Sequence, residues 1–382
     1  MIRRAITARH CPRALVATFV LAGAFASVVV AACTVFDGLS VPDPDSGTSP
    51  IESGADAGDG AAEANDPCSH VLPPGPPSAG DRQGGLAFVA RSLVLGVASG
   101  SPAQGRGYDL DGVCSCGPGA PPPSCTTRDA AAAVVCDGEG GLDNAAAGVF
   151  DLAATRGADV AGVAASAIAR GETSLLVEMT DYAGDDDDRT VQVVLYVSVG
   201  PKNNGAAPTF LPNEVWRLDK TRSLDNATQP RPLARALGFV RGRVVVVSFD
   251  RVTIPIDAER QIDLRSVALT AQIAADGATL ANGVITGRWA QSEALRTFAN
   301  LRIGTDGGAP VRLCDDKASL EVIRARVCES RDLTSVREGD RSGAACDALS
   351  VAVGFEAVKA VIDLDGVATT RTDTCALPTC EP

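Results

Sequence analysis

Histidine is almost missing from this chain: His10 and His70 are the two that its 382 residues hold. That scarcity removes most chemistry built on imidazole, because a histidine-ligated catalytic zinc needs two or three such ligands and a Ser-His-Asp triad would have to rest on one residue. Tryptophan is as rare, with Trp216 and Trp289 alone available to stack on a sugar, and a lone Trp flanked by strand residues reads first as packing. Basic charge is short as well, at 34 Lys+Arg against 47 Asp+Glu. So acidic a surface repels phosphates, which excludes nucleic acid and anionic headgroups as partners of the folded part and leaves divalent cations open.

What is present begins at the N-terminus. Arg3, Arg4, Arg9 and Arg13 precede the uncharged residues 14–32, and Val30-Ala31-Ala32 stands directly before Cys33. This pattern resembles a lipobox, the signal of bacterial lipoproteins. The resemblance implies acylation of Cys33, cleavage before it and a membrane anchor, each buried methylene contributing about 0.8 kcal/mol. Thr34, in place of the Asp that retains many such proteins at the inner membrane, implies the outer membrane. Ala24-Phe25-Ala26 also offers an ordinary cleavage site that would give a soluble secreted protein, and an uncleaved anchor is the third reading. All three export residues 34–382. Loss of residues 1–32 leaves 30 Lys+Arg against 47 Asp+Glu, a net charge of −17.

Cysteine usage supports export independently. Of 12 cysteines, Cys11 leaves with the signal and Cys33 would carry lipid, so Cys68, Cys114, Cys116, Cys125, Cys136, Cys314, Cys328, Cys346, Cys375 and Cys380 remain. An even count in an oxidising compartment reads as five disulfides. Both the group 68–136 and the group 314–380 are odd, so full pairing needs at least one bridge between them. A four-thiolate zinc site at Cys114, Cys116, Cys125 and Cys136 is the competing reading, disfavoured by compartment and by the lack of C-x-x-C pairs.

Residues 34–66 are acidic, lack any basic residue and are rich in Pro, Gly, Ser and Ala, so they read as a tether of roughly 30 Å reach, which the loose stretch to 85 continues. His70 falls in that stretch and so reads as linker. Beyond it the chain divides into a Cys-rich segment 86–150, a β core 151–310 and a C-terminal Cys-rich segment 311–382 packed on the core. An apolar run at 86–98 opens the ordered part. Strands are expected at Ser174–Thr180 and at 191–199, 243–256, 265–275, 279–289 and 349–357, with helices at 143–153, 291–301 and 317–328. Asp185 to Asp188 mark a solvated hairpin tip, and Asp276-Gly277 marks a tight one. The expected fold is mainly β, sandwich-like antiparallel sheets with a few short helices, stapled by disulfides.

Two glycine-rich acidic runs could hold a cation. Asp109-Leu110-Asp111-Gly112 and Asp137-Gly138-Glu139-Gly140-Gly141-Leu142-Asp143-Asn144 alternate hard oxygen donors with residues that permit tight turns, as calcium loops do. Asp109, Asp111, Asp137, Asp143 and Asn144 are the candidate calcium ligands, with Glu139 as a further oxygen. The spacing lacks that of an EF-hand, and the plain alternative is that these are turn formers, with Asp143 or Asn144 capping a helix. An acidic tether, D-x-D-G and D-G-x-G-G-x-D-N runs, hairpins and a C-terminal cysteine cluster together resemble Cys-rich secreted or outer-membrane lipoproteins, a family that implies architecture and localisation but no established activity. The function expected is a non-catalytic binding or structural module of the cell envelope, with an envelope protein or glycan as partner. A carboxylate-dependent polysaccharide hydrolase and a calcium-dependent adhesion module are the alternatives.

Overall fold

The computed structural model describes residues 69–77, 84–96, 106–116, 119–127, 135–182, 184–203, 205–223, 234–304, 311–369, 375–376 and 378–380. The signal, Cys33, the acidic stretch 34–66 and Cys68 lie outside the described residues. Among the described residues no helix is long and apolar enough to cross a membrane.

In chain order the strands are β1 (Gly85–Val94), β2 (Ser174–Thr180), β3 (Asp188–Pro201), β4 (Glu214–Asp219), β5 (Ala234–Arg241), β6 (Val244–Pro255), β7 (Gln261–Ile273), β8 (Thr279–Ala290), β9 (Arg302–Ile303), β10 (Val311–Arg312) and β11 (Ala348–Val367). The helices are α1 (Ala146–Thr155), α2 (Val160–Ala169), α3 (Lys220–Ser223), α4 (Gln291–Ala299) and α5 (Lys317–Glu329). The mainly β, antiparallel, disulfide-stapled architecture is the expected one, in a closed form. β1, β2, β3, β5, β6, β7, β8 and β11 make an 8-strand barrel, and the antiparallel pairing of β1 with β11 completes the ring. The barrel thus takes its first and last strands from the two Cys-rich segments.

Alternation decides which side chains point inward. Along β11, Leu349, Val351, Val353, Phe355 and Ala357 enter the core while Ser350, Ala352 and Gly354 stand on the opposite face, as a period of two dictates. β7 begins with Ile262 and Leu264 inward and continues with Val267, Leu269, Ala271 and Ile273 inward, a change of parity. A bulge between Arg265 and Ala268, with Ser266 at φ 45°, absorbs the extra residue. Eight strands leave an interior that side chains just fill, so this barrel is a packed core. One end is closed by tight hairpins: Ala274 donates to Thr279 O (3.0 Å) across the Asp276-Gly277 turn, and Gly277 adopts φ +64°. The acidic tip is clasped there too, with Arg243 Nε donating to Asp186 Oδ1 (2.5 Å) and Gly242 N to Asp187 Oδ1 (2.7 Å).

The opposite end is plugged by helices. Phe150 of α1 and Phe298 of α4 lie 5.8 and 5.6 Å from Trp289, ring centre to ring centre. Trp216 is also fully buried, in a second cluster on the outer surface of the barrel with Val89, Leu176, Val194 and Val358. There β4 lies between β3 and the far part of β11, pairing parallel with the latter. Both tryptophans are packing residues, as a Trp among strand residues suggests.

The cysteines join as Cys116–Cys136, Cys125–Cys346, Cys314–Cys375 and Cys328–Cys380, and Cys114 is also disulfide-bonded. Cys125–Cys346 is the bridge between the two groups that parity requires. With Cys114, Cys116, Cys125 and Cys136 all oxidised, the four-thiolate zinc site has no ligands.

Candidate functional site

The chemistry collects on the outer face of β8 and β11, where residues 106–116, 119–127, 135–145 and 331–347 form a cover. β1 ends at Val94 opposite Gly354, so β11 continues with its edge amides unpaired by β1. Side chains from the cover take them: Ala352 N donates to Asn144 Oδ1 (3.1 Å) and Ser350 N to Asp332 Oδ1 (2.8 Å). Ser350 Oγ in turn accepts from Ala145 N at 2.8 Å. Beside these, Arg288 stands on the outer face of β8, 1% exposed, with Nη1 donating to Thr334 O (2.9 Å) and Nη2 to Leu110 O (2.9 Å). Its guanidinium also pairs with Asp340. Truncating one member of so buried a pair leaves an uncompensated charge.

The two acidic runs meet within this cover. Carboxylate oxygens of Asp109, Asp111 and Asp143 lie within 4.8 Å of one another. Loop amides hold each carboxylate: Gly112 N donates to Asp109 Oδ1 (2.6 Å), Val113 N to Asp111 Oδ1 (2.9 Å), Ser115 N to Asp137 Oδ2 (2.7 Å) and Leu110 N to Asp143 Oδ2 (2.6 Å). Asp143 Oδ1 is buried and has no hydrogen-bond partner. The close approach needs glycine at 141, at φ +73°, since a Cβ there would come within 2.8 Å of Cys114 Sγ and 3.0 Å of Asp109 Oδ2.

A cavity of about 20 Å³ adjoins the cluster, lined in part by Asp111, Asp137 and Asp332 with Ser124, Cys125 and Arg331. That is room for about one water or ion. Burial pushes the Asp111 carboxyl up to about 6, reinforced by Asp109 and Asp137, and pushes Asp332 up to about 7 against the hydrogen bonds it takes from Ser350. Asp137 and Asp143 are raised by the same loss of solvent, and Asp332 adds to the shift of Asp143.

Of the residues singled out by sequence, Asp109, Asp111, Asp137 and Asp143 are therefore neighbours. Asn144 lies beside them with its oxygen on β11, and Glu139 is exposed. Neither Asp143 nor Asn144 caps α1 with its side chain, because the helix begins after Ala145 without a side-chain cap. His70, read as linker, pairs through Nδ1 with Asp109 Oδ2. Asp332 was not found by sequence: it sits in an ordinary Arg-Asp-Leu run after α5, and the edge of β11 is what draws it in.

An open groove of about 650 Å³ lies between α2, the β6–β7 turn and Arg302. Of its four carboxylates, those of Asp159, Glu172 and Asp257 are committed, while Glu259 also lines it: Asp159 accepts from Gly162 N at the start of α2 (2.9 Å), Glu172 pairs with Arg170 and Asp257 with Arg260. No protein-family model matches the chain, and neither a curated protein nor a solved structure matches it.

Proposed function

We propose that this protein is an exported lipoprotein, anchored to the outer membrane through acylated Cys33, whose barrel serves as a non-catalytic binding or structural module of the cell envelope. The observation that carries the non-catalytic reading is the state of the acids. In the open groove three of the four carboxylates, Asp159, Glu172 and Asp257, hold a helix start and two arginines, and the other acid cluster is set within the cover beside a cavity of about 20 Å³. A glycosidase needs two carboxylates roughly 5–9.5 Å apart and free to exchange protons across a sugar. The groove instead alternates Arg170, Arg260 and Arg302 with carboxylates, a polar surface suited to a glycan or a protein loop.

Two experiments test this reading. Metabolic labelling with a tagged fatty acid should mark the parent and spare Cys33→Ser, which should also leave the membrane fraction; label persisting on Cys33→Ser would end the anchor assignment. Polysaccharides incubated with the full-length protein should release no reducing ends. Release that disappears in Glu172→Gln or Glu259→Gln would make the groove an active site and overturn the non-catalytic reading.

A further inference from the structure

The acid cluster goes beyond that reading and is independent of any partner. Loop amides fix one oxygen of each carboxylate, yet Asp143, 1% exposed, keeps a buried oxygen to which no amide, hydroxyl or base donates, and its near neighbour is the carboxyl of Asp137, another acid. A buried carboxylate oxygen without a partner is costly, and here it lies among further acids rather than beside a base. The cationic groups near them are engaged elsewhere or on one member: His70 on Asp109, Arg331 on Cys328 O and Gln291 Oε1, and Arg341 on the carbonyls of Asp111 and Gly112.

We propose that a calcium ion binds between Asp109, Asp111, Asp137 and Asp143, with Asp143 Oδ1 as a direct ligand and Asp332 in the wall of the adjoining cavity. The donors are hard oxygens only, since the nearby cysteines are oxidised and His70 faces Asp109. That set suits calcium or magnesium and not the softer metals. Magnesium keeps several waters when bound, and a cavity of about 20 Å³ leaves little room for them. Asp109 and Asp143 are buried while Asp111, Asp137 and Asp332 are half-buried, so the ion has a floor and a way in. It would tie the loop before α1 to the segment after α5.

The test uses the full-length protein with calcium as the probe, by titration calorimetry and by thermal melting in chelator and in 1 mM calcium, about 100 times a dissociation constant near 10 µM. One calcium per chain is expected, with a rise in melting midpoint of about 4 °C. Asp143→Asn should lose at least about tenfold in affinity, yet melt in chelator no lower than the parent, because the amide brings a donor of its own among the neighbouring carboxylates. Exposed Asp365→Asn should bind calcium as the parent does. If the parent takes up no calcium, the cluster is held by shared protons and the proposal fails. Binding by Asp143→Asn within twofold of the parent would overturn it equally, as would magnesium producing the same shift at the same concentration.

Discussion

In the barrel wall, β6 and β7 pair over eleven registered positions from Val244↔Gln272 to Pro255↔Gln261 and bury alternate Val, Leu, Ile and Phe side chains. In the cover on its outer face, the described residues have almost no regular pairing and are held by Cys125–Cys346, Cys116–Cys136, the Arg288–Asp340 pair and carboxylates that cap loop amides. The barrel is stabilised by removing apolar area from water, at about 25 cal/mol per Å². The cover buries polar groups and so depends on satisfying each one and on cross-links that limit the unfolded chain.

The largest effect expected is in the barrel. Trp289→Ala removes the ring on which Phe150 and Phe298 pack and should cost about 3–5 kcal/mol, read as a lower denaturant midpoint for the whole molecule. Equal loss of cover and barrel signals would show that the helices and the barrel share one core. Replacing Cys125 and Cys346 together by Ala should cost about 2–5 kcal/mol. Limited proteolysis should then cut first within 106–127 or 331–347, and a first cut within β6 or β7 would contradict the division into barrel and cover.

Much of that barrel was legible. β2 coincides with its sequence expectation, and β6, β7, β8, α4 and α5 lie within a few residues of theirs, because alternation, Asp-Gly and helical spacing are local signals. β5 escaped notice because its inward residues are interrupted by exposed Leu237 and by polar positions, and α2 because Val160–Ala169 is almost wholly small and apolar and presents no polar face. β4 was hidden for another reason: Trp216 and Leu218 pack in the outer cluster, a layer that no pattern within six residues announces. Closure of the ring by β1 and β11 joins residues such as Arg91 and Glu356, 265 positions apart, and pairing over that distance leaves no mark on local sequence. In the cover, spacing marked Asp109, Asp111, Asp137 and Asp143 as oxygen donors, whereas Asp332 and the ties from Arg288 to Leu110 and Asp340 depend on tertiary contact.

Smaller effects sharpen the contrast. In chelator the melting midpoint of the parent should fall as pH rises from about 4 to 7. The carboxyls of Asp111 and Asp332 are raised from 3.8 to about 6 and about 7, so the folded state holds protons that the unfolded state has released, and that contribution is lost as each ionises. Asp332→Asn should flatten this slope, and an unchanged slope would remove Asp332 from the cluster's electrostatics. The least effect is reserved for the hairpin end. Gly277→Ala, at φ +64°, should cost about 1 kcal/mol and leave calcium binding untouched.

Hydrogen exchange of backbone amides, followed by mass spectrometry on the full-length protein in chelator and in 1 mM calcium, tests the central claim most directly, since it reads both regions at once. Calcium should slow exchange in 106–116, 135–145 and 331–350 and leave β6 and β7 as they were. Slowing spread evenly over barrel and cover, or no slowing in the cover, would contradict the account.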